Sequence, residues 1–239
     1  MNREKIKNEA KKIIEGNLWT ILKPMLIVMI ILGFVNVISE KVLQQATFVG
    51  TMCSTLLLLA GMPLSYGLDV FILKYVRKEQ VDYDEIFKHY SKFVPIVLLG
   101  LLMLIIISLP YLIFAVPGIL VANYYSKFVP MLALGLYMYI YISLCSLLSV
   151  IPCIIAAILY SQAMFIMIDG EEKPVACIKK SKEMMYGYKW DYFVFMLSFF
   201  GWYLLCVLTM GIAIAYVAPY VSVSKALYYE ELKKIKKIK

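Results

Sequence analysis

The stretch FVPMLALGLYMYIYISLCSLLSVIPCIIAAILYSQAMFIMI, residues 128–168, contains no Asp, Glu, Lys or Arg. A soluble domain of this size would have to bury such a run on every side, and its surface-to-volume ratio does not allow that. The rest of the chain agrees, because 62% of its 239 residues are hydrophobic and 17% are charged, whereas ordinary soluble domains carry about 25% charged residues. The composition therefore predicts a membrane-spanning protein.

The candidate spans follow from the lengths of the apolar runs. A bilayer core of about 30 Å needs roughly 20 apolar residues in a helix. The runs lack the alternation that is typical of a membrane β-barrel, so we expect helices. They cover residues 18–38, 47–73, 93–116, 128–168 and 192–229.

The positions of the basic residues predict the topology. Only Lys41 and Lys127 of the 24 lysines and arginines fall outside four charged segments. Those segments are residues 1–23, 74–92, 173–189 and 225–239. Basic residues are retained on the cytoplasmic side of a membrane. We therefore expect both termini in the cytoplasm and an even number of crossings.

An even number requires run 192–229 to cross twice and run 128–168 to cross an odd number of times. In the former, Thr209-Met210-Gly211 provides a site for a tight turn. In the latter we expect one crossing that ends near Ile168 and bends at Pro152. An aromatic-rich helix at the outer interface would precede it and would contain Tyr137, Tyr139 and Tyr141. Six spans result.

Each predicted hairpin follows a charged segment that carries an apolar stripe, and such segments form helices in the headgroup plane. The stripes are Ile6, Ala10, Ile13 and Ile14; Ile86, Tyr90 and Phe93 after an Asp82–Glu85 capping pair; and Val175, Ile178 and Met185. The predicted fold is all-α: a polytopic membrane protein with six transmembrane helices as three hairpins, each preceded by a cytoplasmic interfacial amphipathic helix. Within one membrane domain, residues 1–239, the parts are 1–17 (interfacial helix), 18–73 (hairpin 1), 80–168 and 174–229 (interfacial helix plus hairpin), and 230–239 (basic cytoplasmic tail).

Two of the three approaches to the membrane share a pattern, GNLW at residues 16–19 and GYKW at residues 187–190. A glycine permits the bend between a helix on the membrane and one that crosses it, and a tryptophan anchors the boundary. The predicted membrane-interface anchors are Gly16, Trp19, Tyr90, Phe93, Gly187 and Trp190. We interpret them as a degenerate threefold repeat. The alternative is that any chain re-entering a membrane collects basic and aromatic residues there.

The C-terminal segments SKEMMYGYKW (181–190), LSFFGWYLL (197–205) and TMGIAIAYVAPYVSVSKALYYEEL (209–232), with AKKIIEGNLW (10–19), resemble the bacterial integral membrane family called domain of unknown function 975. The resemblance is strong over 160–232, recognisable over 1–30 and loose between. It implies a location in the cell membrane and little chemistry. A more distant likeness is to membrane domains appended to glycerophosphodiester phosphodiesterases.

Motifs for chemistry are scarce in this sequence. No GxSxG, HExxH or phosphate-binding glycine loop occurs, and His89 is the one histidine. The five cysteines form no CxxC pair, so neither a disulfide framework nor a zinc site is expected. Acid–base catalysis would lack participants. We therefore expect no enzyme, no cofactor and no metal site.

Polar groups within spans are the first place to seek function, because burying them is costly. We single out Asp69, Gln162, Pro219 and Tyr220 as a candidate intramembrane polar site. Asp69 would either bind a proton or cation, or pair with a lysine at the interface. Beyond the fourth run, residues 169–172 would either bind a divalent cation or form a solvated turn.

These observations favour a non-enzymatic multi-pass protein of the bacterial cell membrane, whose first run stays as an uncleaved anchor because no signal-peptide pattern precedes it. The expected partners are anionic lipids of the cytoplasmic leaflet, since the net charge is +8, or a protein partner or second copy; nucleic acid is not expected. The alternatives are a transporter or channel component and a protein for bacteriocin immunity or envelope-stress protection.

Overall fold

The computed structural model describes residues 1–43, 48–125, 131–170 and 173–237. Within these ranges the chain is helical and contains no strand. The helices are α1 (Arg3–Ile14), α2 (Leu18–Leu43), α3 (Phe48–Ala60), α4 (Met62–Val76), α5 (Phe93–Tyr125), α6 (Met131–Tyr160), α7 (Ala163–Ile168), α8 (Pro174–Met184), α9 (Lys189–Leu197), α10 (Phe200–Leu208) and α11 (Ile214–Lys236). Lys127, Glu171, Glu172, Lys239 and the first residues of the 47–73 and 128–168 runs lie outside the described residues.

Five stretches within the described ranges are long and apolar enough to cross a membrane. They are Leu18–Lys41, Gly50–Val76, Tyr83–Tyr125, Gly135–Ile168 and Lys189–Leu208. The sixth expected crossing corresponds to α11, whose second half carries charged residues, so that crossing stays a prediction. The turn before α11 lies where the sequence places it, because Met210 and Gly211 have φ values of 49° and 93°.

The fourth apolar run differs from the expectation. Tyr137, Tyr139 and Tyr141 belong to the same continuous helix, α6, as the residues that follow them, rather than to a separate outer helix. The reason lies in α5, whose 33 residues extend about 50 Å and give α6 a partner over its length. The Tyr141 ring packs on Gly118, and its hydroxyl donates to the Phe114 carbonyl oxygen at 2.7 Å.

Three of the breaks between helices contain a glycine or a serine. α6 runs through Pro152, where a bend stays a prediction, and a break at Ser161 and Gln162 separates α6 from α7. Gly61 separates α3 from α4, and Ser198 and Phe199 separate α9 from α10. The Ser161 and Ser198 hydroxyls donate to carbonyl oxygens three residues earlier, at 2.8 and 2.6 Å. These hydroxyls occupy backbone acceptors next to each break.

The first predicted interfacial stripe packs against protein. Ile6, Ala10 and Ile14 of α1 are buried, and α1 contacts α11. Lys7 reaches across to the Ser198 hydroxyl at 3.0 Å. The apolar face of α1 is thus covered inside the molecule, so placing this helix in the headgroup plane remains a prediction without structural support.

The other two approach segments also depart from their predicted stripes. Residues 83–92 form two 3₁₀ turns rather than an α-helix, and Asp82 makes no capping hydrogen bond. In α8 the buried face consists of Cys177, Ser181 and Met184, while Val175 is 67% exposed. Of the predicted stripe, Met185 is buried and Ile178 packs against the core, so the prediction fails at Val175.

Buried and exposed residues divide the molecule into two regions. The compact region consists of α1, α4, α7, α8, α9 and α11, which contribute most of the large, fully buried side chains. The hairpin region consists of α2, α3, α5, α6 and α10, in which α2 packs with α3 and α5 with α6. Its helices expose apolar side chains along their length. Lipid tails would contact the hairpin region if the chain spans the membrane as its composition indicates.

Candidate functional site: a cavity between the helices

A cavity of about 640 Å³ lies where the two regions meet. Its walls come from α4, α5, α6, α7, α9, α10 and α11. Most of the lining is apolar, with Ile154, Ile158, Met196 and Phe200 as examples. Its volume falls in the range of about 300–1,000 Å³ that is typical of ligand pockets.

Asp69 and Lys225 are the two charged side chains among the described residues that line the cavity. Asp69 comes from α4 and Lys225 from α11, and both are half-buried. Lys225 interacts electrostatically with Asp69. Neither side chain has a hydrogen bond or a short ion pair with any other described residue. The cavity lining therefore carries two opposite charges that interact with each other and are not paired at short range with another described residue.

Local packing positions α11 at this cavity. The Tyr229 ring stacks on Phe165 of α7, with centroids 5.1 Å apart, and the Tyr228 ring meets Tyr192 of α9 at 4.9 Å. Lys225 lies about one helical turn before these two tyrosines. Its side chain consequently reaches the cavity from a helix that is fixed by aromatic contacts on both sides.

The break between α6 and α7 adds polar groups to the cavity lining. Ser161 and Tyr192 line it, and the Tyr192 hydroxyl interacts with Ser161 and Gln162. Gln162 is buried behind Ser161, to whose hydroxyl it donates at 2.9 Å. Its side-chain oxygen has no hydrogen-bond partner within the described part of the chain. Ser161, Gln162 and Tyr192 therefore form a polar site within an apolar wall. The buried Gln162 oxygen is costly there because it lacks a partner among the described residues.

The structure brings together half of the predicted polar site. Asp69 lines the cavity and Gln162 lies directly behind it, whereas Pro219 and Tyr220 are elsewhere. Tyr220 and Lys225 are five residues apart on α11, which places them about 140° apart around the helix. Tyr220 therefore packs against Phe199 and Trp202 on the side that faces α1.

Lys225 is the charged cavity-lining residue that the sequence reasoning missed. It was assigned to the basic tail, with Lys233 and the lysines beyond it. One signal could have distinguished it, because VSVSKALYY, residues 221–229, isolates this lysine within an apolar helical stretch. The contributions of Ser161 and Tyr192 had no such signal, since tertiary packing alone brings them to the cavity.

The predicted membrane-interface glycines have the backbone conformation that a sharp bend requires. Gly16 and Gly187 have φ values of 87° and 85°, a region that side chains rarely adopt. Trp19 and Trp190 are 66% and 73% exposed. In the approach to the second predicted hairpin, the Tyr90 hydroxyl donates to the Ala60 carbonyl oxygen at 3.2 Å, and Phe93 begins α5. Anchoring by all six residues remains a prediction.

A second polar cluster lies in the compact region. We call it the Asp169 cluster, and it consists of Asp169, Arg77, Tyr229, Glu230 and Lys233. The Asp169 carboxylate accepts hydrogen bonds from Arg77, Tyr229 and Lys233, each at 2.7 Å. Arg77 also donates to Glu230 at 2.7 Å. Burial raises the pKa of Asp169, but the hydrogen bonds from Lys233, Tyr229 and Arg77 outweigh it, so the pKa lies below its usual value. This carboxylate joins α4, α7 and α11.

The Asp169 cluster bears on both interpretations of residues 169–172, of which Glu171 and Glu172 lie outside the described residues. Its carboxylate is occupied by cationic and hydroxyl donors, which oppose the binding of a metal ion there. No group of three His, Cys, Asp or Glu suited to a metal ion occurs among the residues that the structure describes. Neither interpretation is complete, because Asp169 joins three helices instead of facing water.

Five apolar helices and a partly polar cavity between them are features of a helical membrane protein. The chain belongs to the family described as "Protein of unknown function (DUF975)", whose model matches residues 1–236. This confirms the resemblance noted for the N- and C-terminal segments, and it extends the match across the central run. No curated protein and no solved structure matches the chain.

Proposed function

We propose that this protein is a non-enzymatic, multi-pass protein of the cell membrane that binds a membrane lipid in the cavity between its helices. One observation carries the proposal: the cavity has a mostly apolar wall that includes two opposite charges, Asp69 and Lys225, which interact with each other. An amphiphile has the same division, because its acyl chain requires apolar surface and its head group requires charged partners.

The surroundings of the cavity support lipid as the ligand. An apolar groove of about 440 Å³ lies next to the cavity. Ile154, Ile158 and Phe193 line both spaces, so three apolar side chains separate the cavity from the groove. Ile151, in the groove, is itself exposed on the surface of α6. Ile154 and Phe200 of the cavity wall are 40% and 64% exposed, so an acyl chain on the outside of the hairpin region would reach the cavity along them.

Lipid analysis tests the proposal directly. The protein would be purified in a mild detergent, and bound phospholipid would be measured by native mass spectrometry. We expect at least one lipid to remain bound after other lipids have been removed. Met196→Trp, which fills the cavity, should abolish retention, whereas Met52→Trp, on the exposed face of α3, should not. Equal lipid content in both variants and the wild type would contradict the proposal.

The orientation is part of the same proposal, with both termini on the cytoplasmic side. Lysine and arginine placement supports it, since the charged segments alternate with apolar runs. A Lys236→Cys variant in a background without the native cysteines should resist an impermeant maleimide in intact cells and react after lysis. A cysteine in the link between α2 and α3, at position 45, should react in intact cells. The reverse pattern would overturn the orientation.

A transporter is the second candidate, and Asp69 is the observation that favours it. A carboxylate beside a cavity within predicted spans is a typical feature of proton or ion pathways. Liposomes with wild-type protein or with Asp69→Asn would be compared for proton and cation flux. Flux through the wild type that the variant loses would favour transport over lipid binding, and equal background flux would remove this candidate.

A further inference from the structure

The charges in the cavity allow the lipid head group to be identified by class. A lipid that carries only negative charge would pair with Lys225 but would bring its phosphate toward the Asp69 carboxylate. That arrangement leaves a half-buried negative charge without a partner, which is unfavourable. A head group with one negative and one positive charge would satisfy both side chains.

We propose that the cavity binds an aminophospholipid, with the lipid phosphate on Lys225 and the primary ammonium on Asp69; this inference rests on the proposed function. Lys225 offers three N–H donors to phosphate oxygens, and Asp69 offers two carboxylate oxygens to the three N–H groups of the ammonium. Charge-assisted hydrogen bonds of this kind are roughly twice as strong as neutral ones. The Tyr192 hydroxyl, which also lines the cavity, is a further polar group that the head group could contact.

The apolar part of the cavity gives the direction of the acyl chain. Ile154 of α6 lies seven residues before Ser161, which directly follows this helix, so this wall extends about 10 Å from the break. Met103 and Phe200 line the cavity as well, and they come from α5 and α10. The chain therefore runs from the break at Ser161 toward the hairpin region, where the exposed helices meet surrounding lipid.

A water-soluble zwitterion has the same pair of charges and is the competing source of this chemistry. The lining argues for the lipid, since Met103, Ile154, Met196 and Phe200 would offer a small polar ligand no hydrogen bond. Glycerophosphoethanolamine, which is the head group without acyl chains, distinguishes the two sources. It should fail to displace bound lipid at concentrations where the intact lipid exchanges.

The test is lipid competition on the full chain in nanodiscs that contain phosphatidylethanolamine and phosphatidylglycerol in equal amounts, with retained lipid measured by native mass spectrometry. We expect the wild type to retain phosphatidylethanolamine about tenfold over phosphatidylglycerol, which corresponds to one charge-assisted contact. Asp69→Asn should remove this preference while total retention changes little. Lys225→Gln should reduce retention of both lipids about tenfold.

Matched controls use exposed residues of the same types. Asp84→Asn and Lys179→Gln change side chains on the molecular surface and should leave both preference and retention unchanged. Each variant's thermal unfolding in detergent would be compared with wild type, and the exchange Asp69→Lys with Lys225→Asp would replace any single variant that unfolds. This exchanged pair keeps both charges and should keep a preference for phosphatidylethanolamine.

The outcomes that would contradict the head-group assignment differ from those that would contradict lipid binding itself. Retention without preference, or a preference that survives Asp69→Asn, overturns the head-group assignment while leaving lipid binding intact. Displacement by glycerophosphoethanolamine at the same concentration as the intact lipid also overturns it, in favour of a soluble ligand. Failure of the wild type and of the Met196→Trp comparison to show any specific lipid overturns the proposed function itself.

Discussion

The compact region and the hairpin region differ in the interactions that hold their helices together. In the compact region Asp169 binds three donors from two other helices, and the 3₁₀ turn at Ile86 packs directly on Gly67. In the hairpin region α5 and α6 meet through a tyrosine ring on Gly118. The compact region is held by backbone contacts and charged hydrogen bonds, whereas the contact between α5 and α6 depends on a side chain that can change its rotamer. The cavity lies between them, with its charges on the compact side.

The largest effect that distinguishes the regions should come from two glycines. A Cβ at Gly67 would overlap the backbone carbonyl of Ile86, and a Cβ at Gly118 would overlap the Tyr141 ring. Backbone cannot move aside, so Gly67→Ala should lower the free energy of unfolding by about 3 kcal/mol. Gly118→Ala should cost only about 1 kcal/mol, because the ring can rotate.

Unfolding in detergent, followed by tryptophan fluorescence, measures this difference. Gly33→Ala provides the control, since nothing lies within 4 Å of its added Cβ. Equal losses for Gly67→Ala and Gly118→Ala would mean that the two regions are held in the same way.

The Asp169 cluster should give the next largest effect. Asp169→Asn removes the charge that Arg77 and Lys233 face, and we expect a loss of about 2 kcal/mol at neutral pH. Arg3→Gln affects the longer Arg3–Asp191 pair, at 3.5 Å and more exposed, and should cost under about 1 kcal/mol. Urea unfolding of both variants in the same detergent would show whether the order is reversed, which would contradict this ranking.

The same carboxylate predicts a pH dependence with a definite sign. The folded pKa of Asp169 is below its unfolded value, so its contribution is fully present above the unfolded value, about 3.9. It is lost as the pH falls through the lower, folded pKa. The melting temperatures of wild type and Asp169→Asn should therefore differ at pH 7 and converge below about pH 4. A difference that grows with acidification would show that the carboxylate does not act as described.

Buried hydroxyls should give a smaller effect that still separates the regions. The Ser181 hydroxyl is buried in α8 and donates to the Leu159 carbonyl oxygen at 2.8 Å. Ser181→Ala should cost about 1 kcal/mol. Ser143→Ala removes an exposed bond within α6, to Tyr139 at 2.8 Å, and should be close to neutral. Melting curves of the two variants that coincide would contradict the predicted importance of the α8 interface.

The smallest effect is expected at the α5–α6 contact. Tyr141→Phe keeps the ring on Gly118 but removes the hydrogen bond to the Phe114 carbonyl oxygen. We expect a loss of roughly 0.5 kcal/mol, at the low end for a single bond. Tyr139→Phe, at an exposed position on the same helix, is the control for the loss of a hydroxyl. A melting temperature that falls as far as in Gly67→Ala would contradict the proposed difference between the regions.

The sequence predicts what depends on local chemistry. Apolar length identifies the spans, and Gly16, Gly187 and Gly211 lie where the chain bends with positive φ, because only glycine adopts that backbone conformation freely. The buried face of α8 was predicted in part: Met185 is buried as expected, whereas Val175 is exposed and Cys177 and Ser181 are buried. A buried thiol or hydroxyl follows from the shape of its neighbours, which a single helix does not specify.

The cavity could be predicted only in part. Asp69 is recognisable because a lone acid within an apolar run is costly. Its companion Lys225 is about 150 residues away in sequence and reaches the cavity through the stacking of Tyr229 on Phe165. Such an approach depends on how helices pack, and no periodicity within either helix encodes it.

Photo-crosslinking of lipid tests most directly whether the cavity is a lipid site. Phosphatidylethanolamine with a photoreactive acyl chain would be incorporated with the wild type, and the modified peptides would be identified by mass spectrometry. We predict modification concentrated at the less exposed cavity-lining residues Ile158, Phe165 and Met196, with loss of this signal in Lys225→Gln. Modification spread evenly over the exposed faces of α2, α5 and α6, and unchanged in the variant, would contradict the account.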